Sequence, residues 1–194
     1  MSTLRRFSNP LSLTACDTNF LAGARNSIDF AAYTLTEPLI IATLAAAAQR
    51  GVAIRLYLDR SEVEAEARHD ATGSHLPIHP LLTQAGIQVL VKRSLILMHL
   101  KAYCIDHTTL RTGSANFSPI GETQEDNELC IDTDPVSVKA FQDKFDSMWA
   151  RPDNLTVAAA ISLNRAAGVV PAPSVAARRA DPEFPGIAVK NAAL

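Results

Sequence analysis

The scarcities of this sequence narrow its reading before any motif does. Three cysteines in 194 residues are an odd, low number and cannot make the disulfide framework of a small secreted domain. Cys104 and Cys130 stand in apolar, strand-like runs, where a free thiol packs as a small hydrophobe. No apolar run approaches the ~18 to 20 residues that a spanning helix needs. Neither sign of charge dominates, since 18 Lys+Arg against 20 Asp+Glu leave a net charge of −2. Nothing global therefore draws the chain to nucleic acid or to an anionic membrane, and such binding must rest on a local basic patch. Repeats of 20 to 50 residues are absent, which excludes a solenoid. Leu13-Thr14-Ala15-Cys16 behind Arg5-Arg6 imitates a lipoprotein cleavage box, but Phe7 to Leu13 is too short and polar for a secretory core. The expected compartment is the cytoplasm.

What is present is apolar residue enough, 47%, for one substantial core. A short edge strand is predicted at the start, ending in a turn at Pro10, and a helix capped by Asp17 or Thr18 follows to about Asn26. Ile28 to Tyr33 reads as a buried strand. Thr36-Glu37-Pro38 opens an alanine-rich helix that Gly51 stops, and Val52 to Asp59 is the next strand. Strand, helix, strand with short loops is a βαβ unit, which implies a parallel pair covered by helices. Ser61 to His69 reads as a charged surface helix and Asp70 to His79 as a loop. A short helix at Pro80 to Ala85 and a strand at Ile87 to Lys92 repeat the alternation. Strands are predicted at His99–Asp106, Thr109–Thr112 and Leu129–Asp132, then an amphipathic helix, Pro135 to Trp149, with Val138, Phe141, Phe145 and Trp149 inward. The fold class is α/β: a mixed, mainly parallel central sheet flanked by helices on both faces. The domain is predicted to span residues 1–154. Residues 155–194 form an Ala/Pro-rich tail, helical from Leu155 to Ala166 and then extended or disordered.

Chemistry concentrates between Met98 and Asn116. His99 and Lys101 stand two apart in a β-rich segment, a spacing that puts both side chains on one face of a strand. A neutral imidazole attacks or takes a proton near pH 7, a lysine stabilises negative charge, and Ser114 and Asn116 offer hydrogen bonds to oxygens. Such a set suits a phosphodiester better than a peptide, because no serine lies in a nucleophile elbow and no helix carries a zinc motif. Glu122, Glu125, Asp126 and Glu128 follow, and one of them could hold the imidazole in the right tautomer. Lys92, Arg93, Arg60 and Arg111 are candidates for a basic rim. His75 and His79 sit in a loop with no third ligand, which gives no metal site. A lone strand histidine beside a solvent-facing lysine would mean nothing, but the whole pattern His-x-Lys-(x)4-Asp-(x)6-Gly-Ser-x-Asn is very unlike a chance arrangement.

That pattern resembles the HKD motif of the phospholipase D superfamily, with His99, Lys101 and Asp106 as its named residues and Gly113-Ser114-Ala115-Asn116-Phe117 as its extension. Ser27 to Tyr33, Ala48 to Val52, Leu58-Asp59 and Leu82 to Ile87 are similar to further stations of the small, single-motif members, the Nuc-type bacterial endonucleases. The resemblance covers about residues 4–150. It implies a metal-independent phosphodiesterase without cofactor, in which one histidine attacks phosphorus to form a phosphohistidine and a second serves the leaving oxygen and then the water. One motif per chain implies a homodimer whose composite site holds two copies of His99. Lys101 and Asn116, with Ser114, would hold phosphate oxygens, while Asp106 would support structure. Asp126, with Glu128 next, would orient the histidine. Nucleic acid is the first substrate expected and phospholipid the alternative. A non-catalytic nucleic-acid-binding module is the third reading.

Overall fold

The computed structural model describes residues 3–8, 12–69 and 76–166. Seven strands form one sheet: β1 (Thr3–Phe7), β2 (Ser27–Ala32), β3 (Ala53–Leu58), β4 (Ile87–Val91), β5 (Lys101–Ile105), β6 (Thr109–Gly113) and β7 (Glu128–Asp132). The helices are α1 (Thr14–Ala22), α2 (Pro38–Gln49), α3 (Arg60–Glu66), α4 (His79–Leu82), α5 (Pro119–Thr123), α6 (Pro135–Trp149) and α7 (Val157–Ala166).

Strand order is β1-β7-β6-β5-β2-β3-β4. The βαβ reading holds for β2, β3 and β4, which run parallel. The sheet is mixed as expected, but it is not mainly parallel: the pairings β1·β7, β7·β6, β6·β5 and β5·β2 are all antiparallel. The reason is local. Asp106 and His107 both take positive φ, 51° and 54°, and Thr108 N–H donates to the Ile105 carbonyl at 3.0 Å. This is the two-residue turn whose twist matches a tight hairpin, so β5 must turn straight back into β6.

Helices cover both faces. On one, α1, α2, α3 and α7 pack over Ile28, Phe30, Ile54, Leu56 and Tyr103. On the other, Val138, Phe141, Phe145 and Met148 of α6 pack over Ala31, Tyr57, Ala102 and Cys104. Strand β2 is therefore buried on both sides, which is why its sequence reads as a continuous apolar run rather than an alternation. Cys104 is fully buried, and burial pushes its thiol up to about 11; Cys130 is half-buried and, with Cys16, unbridged.

Three boundaries differ from the sequence expectation. Helix α1 begins at Thr14, so Asp17 lies inside it rather than at its cap. Helix α5 was not anticipated; its signature is Ser118-Pro119, with Ser118 Oγ accepting from Gly121 N–H at 3.1 Å. The packed core runs past Asn154, because Leu155 pairs with Val91 and Ala160 and Ile161 of α7 join the α2 side of the core. Most of the loop expected from Asp70, His75 included, and the extended tail from Gly168 to Leu194 lie outside the described residues. Among the described residues no helix is long and apolar enough to cross a membrane.

Candidate active site

Strands β2, β3 and β4 finish at the end of the sheet where β5 begins, and His99 and Lys101 sit at that shared end. Tyr33, the residue after β2, joins them. Its N–H donates to the Leu100 carbonyl at 2.9 Å, the His99 ring meets its ring edge-on at 4.6 Å between centroids, and Lys101 Nζ lies 4.8 Å from its centroid. His99 precedes the strand instead of lying in it, and it is solvent-exposed. Lys101 is only 7% exposed. Its ammonium donates to the His99 carbonyl at 2.9 Å, and among the described residues it pairs with no carboxylate.

A buried cation without a counter-ion is expensive unless something negative arrives. Burial pushes Lys101 below the ordinary lysine range, against the pull of Glu62 and Asp59. Burial, then the Lys101 charge, lowers His99 as well, with Asp59 and Glu62 acting in the opposite sense. The imidazole is thus neutral near pH 7 and has a lone pair to offer.

Asp59, at the end of β3, is a residue whose importance the sequence concealed. Its Oδ1 accepts from Ser61 N–H at 2.9 Å and caps α3, while Oδ2 accepts from Met98 N–H at 2.7 Å. One carboxylate thereby fixes both the start of a helix and the residue preceding His99. The Asp-x-Ser spacing signals the cap, but nothing local signals the second bond. Glu62, one turn on, accepts from Thr34 Oγ1 at 2.9 Å.

Extending the pairing Tyr103↔Arg111 by two residues sets Lys101 opposite Gly113 and brings the Ser114–Asn116 turn beside His99. Two glycines make this turn possible. A Cβ on Gly113 would meet the Glu128 carbonyl oxygen at 2.2 Å, and one on Gly121 would meet that of Asn116 at 2.6 Å. Asn116 carries a buried Oδ1 with no hydrogen-bond partner; of its amide, Nδ2 is the group that can donate to an oxygen. Ser114, by contrast, is committed to β7: its Oγ donates to Asn127 Oδ1 at 2.8 Å and accepts from Glu128 N–H at 3.0 Å.

Three other candidates stand apart from this group. Asp106 is at the far end of β5, where its carboxylate accepts from the backbone N–H groups of Arg25, Asn26 and Ser27 at 3.0, 2.7 and 2.8 Å. Burial would raise its pKa, but these three bonds hold it below the usual carboxylate value. Glu128 pairs with Arg5 at 3.1 Å, across the strand edge from β6. Asp126 is exposed, and neither it nor Glu128 bonds the His99 side chain. The basic rim shrinks too. Lys92 Nζ is tied to the Ile96 carbonyl and Arg60 to Glu64 and the Arg93 carbonyl, while Arg111 is wholly buried. In its place stand exposed apolar side chains: Phe7, Leu39, Leu95, Ile96 and Ile120 lie at this end of the sheet, against Val136 at the other, among the described residues.

The family profile described as "Cardiolipin synthase, PLD-like domain" matches residues 18–149. The chain belongs to the phospholipase D-like family. Within that family it is 30% identical over 162 residues to a mitochondrial cardiolipin hydrolase of Xenopus laevis, covering 80% of this chain and 72% of the relative. It is 29% identical over 135 residues to a phospholipase D of Rickettsia felis, covering 70% and 63%. The chain spans 55 to 72% of the first three cardiolipin hydrolases it matches. Among solved structures, the phospholipase D family member Nuc of Salmonella typhimurium superimposes with a TM-score of 0.65 at 25% identity, covering 79% of this chain and 97% of Nuc. NucT of Helicobacter pylori shares the fold at a TM-score of 0.61 and 17% identity.

Proposed function

We propose that this chain is a metal-independent phosphodiesterase that cleaves DNA or RNA through a phosphohistidine in a composite site made by two copies of the chain. The observation that carries the reading is Lys101: a 7%-exposed ammonium with no carboxylate partner, held against the carbonyl of a neutral, exposed His99. A phosphate between them supplies the missing negative charge and the electrophile together. His99 Nε2 or Nδ1 attacks phosphorus, the P–O bond to the leaving group breaks, and the second copy's His99, which takes up a proton beside the bound phosphate anion, gives that proton to the leaving oxygen. The same imidazole, now neutral, then takes a proton from water as it attacks the phosphohistidine and frees His99. Lys101 and the Asn116 amide hold the non-bridging oxygens. Asp126 is retained as the carboxylate that orients histidine once the two copies meet, with Glu128 as its alternative.

Leu39 and Ile120, exposed apolar side chains in the helices that follow β2 and β6, support the dimer, since a two-fold partner facing His99 would cover apolar surface at this end of the sheet. The domain that acts comprises the described core through α7, with the remainder of the tail outside it, and the proposed compartment is the cytoplasm.

A second reading, phospholipid hydrolysis, is favoured by Leu95 and Ile96, 62% and 48% exposed in the loop that leads into His99, and by the loss of Arg111 from the basic rim. One experiment separates the readings: incubation in EDTA with single-stranded DNA, duplex DNA, RNA and phosphatidylcholine vesicles, with the mass of the active species measured. Turnover of a nucleic acid by a dimer is expected. Turnover of lipid alone reverses the substrate assignment, and an active monomer removes the composite site.

A further inference from the structure

Behind the site, outside the proposed chemistry, lies a cluster of three ionisable side chains that are all 0% exposed: Asp17 of α1, Arg111 of β6 and Glu122 of α5. Arg111 spends its donors in three directions. Nε and Nη2 donate to the two oxygens of Asp17 at 3.0 and 2.8 Å, Nη2 also lies 3.4 Å from Glu122 Oε1, and Nη1 donates to the backbone carbonyl of Lys101 at 2.9 Å. Its guanidinium stacks on Phe117, next to Asn116, at 4.4 Å. Tyr103 of β5 donates to Asp17 Oδ1 at 2.8 Å.

Two carboxylates face one guanidinium here. With both ionised, the fully buried cluster would carry a net negative charge, and Glu122 Oε2, which has no partner, would be an orphaned charged oxygen. Both carboxyls lie against the one Arg111 guanidinium, and a proton on Glu122 removes the excess negative charge. Burial and the Asp17 charge, against Arg111, push the Glu122 carboxyl up to about 8, with Glu37 adding to the rise. The charged and titratable groups facing it are thus Asp17 on α1, Arg111 on β6 and Glu37 at the cap of α2; Tyr103 and Cys16 border Asp17.

The cluster bonds the backbone of Lys101 and adjoins that of Asn116 through the neighbouring residues Phe117 and Gly121. Arg111 bonds the Lys101 carbonyl directly. Helix α5 abuts Asn116 so closely that Gly121 has no room for a Cβ, and Glu122 N–H donates to the Ser118 carbonyl at 2.9 Å within the same turn.

We propose that Glu122, Asp17 and Arg111 are positioning residues that set Lys101 and Asn116, and that the proton on the Glu122 carboxyl is the switch between a set and an unset phosphate site. Loss of that proton draws the guanidinium toward Glu122, away from Asp17 and from the Lys101 carbonyl, and moves both arms of the site. This rests on the assignment of Lys101 and Asn116 to phosphate, so its test begins with a readout that needs no substrate.

In the ligand-free protein, the backbone amide of Lys101 and the side-chain amide of Asn116 are followed by NMR from pH 6.5 to 9, in the wild type and in E122Q. One shared transition is expected in the wild type, and none in E122Q, whose amide imitates the neutral acid. Static signals in the wild type, or the same transition in E122Q, overturn the proposal. The second readout is kcat and KM against pH on whichever phosphodiester is turned over. Between pH 8 and pH 9 wild-type kcat/KM should fall roughly fivefold more than that of E122Q, as expected for loss of a single proton from a group with a value of about 8; the fall common to both belongs to the imidazolium of the second copy. An alkaline fall of the same size in E122Q and the wild type overturns the link to the site. A wild type that hydrolyses no phosphodiester defeats the functional reading of Lys101, while the NMR titration still decides whether the cluster moves it.

Discussion

Two cations are buried on neighbouring strands of this sheet, and their surroundings treat them oppositely. Around Arg111 every need is met from within: two carboxylates, a backbone carbonyl and an aromatic face. Around Lys101 there is one carbonyl, one ring and no carboxylate partner. Desolvating a charge is costly in either place. At Arg111 the compensation is folded in; at Lys101 it is not. The difference separates a cation that holds the fold from one suited to the proposed role of holding phosphate, although both have the burial usually taken as a sign of structure.

The sharpest break comes from removing the nucleophile that stands beside Lys101. H99A should lower turnover by about 10⁴-fold or more while the dimer remains intact by sedimentation; retained hydrolysis in that variant ends the phosphodiesterase reading. Next comes the same chemical change made at both cations. R111M should destabilise the fold by about 3–5 kcal/mol, because Asp17 and Glu122 are left buried without their partner. K101M should keep or raise the melting temperature and lower activity by about 10²–10³-fold. If thermal melts show equal losses for the two, the contrast is wrong.

The pH dependence of stability sharpens the Arg111 side. Glu122 has a raised value in the folded chain, so between the ordinary carboxyl range and about 8 the folded state binds more protons than the unfolded one. Stability is therefore full at low pH and falls as pH rises through that window. Melting temperatures of E122Q minus wild type should grow from pH 5 to pH 8 and then level off, and a flat difference would refute the proton on Glu122.

Asp106 tests the other end of the motif strand. D106A loses acceptors for three backbone N–H groups and should cost about 1–3 kcal/mol, with activity per folded molecule retained. The smallest effect is expected from L95S/I96S, which should stay within about 0.5 kcal/mol of the parent in stability. Its value lies in comparing substrates: lipid turnover should fall and nucleic-acid turnover hold if the loop serves a bilayer.

Much of this could be read along the chain. The helix at Pro38 begins with Glu37 accepting from Leu39 N–H and ends before Gly51, and α6 follows from its apolar spacing. His99, Lys101 and Asn116 came as one pattern. All of these are local: a cap, a period or a two-residue step is complete within a few neighbours. The residues that the sequence misplaced are those whose partners are remote. Asp17 looked like a cap and proved to bind Arg111 from 94 positions away. Arg111 looked like part of a basic rim until burial removed it. Asp59 reaches Met98 over 39 positions, and Ser114 is claimed by β7.

By itself, then, the sequence determined most of the elements, the parallel β2–β3–β4 unit and the motif on which the proposed chemistry rests, because these depend on short-range spacing. Only the tertiary structure decided that most of the sheet is antiparallel, that Lys101 is buried without a carboxylate, and that a three-charge cluster stands behind it. Those follow from which strands meet and which charges are desolvated together, and desolvation exists only once distant parts of the chain have closed over the same space.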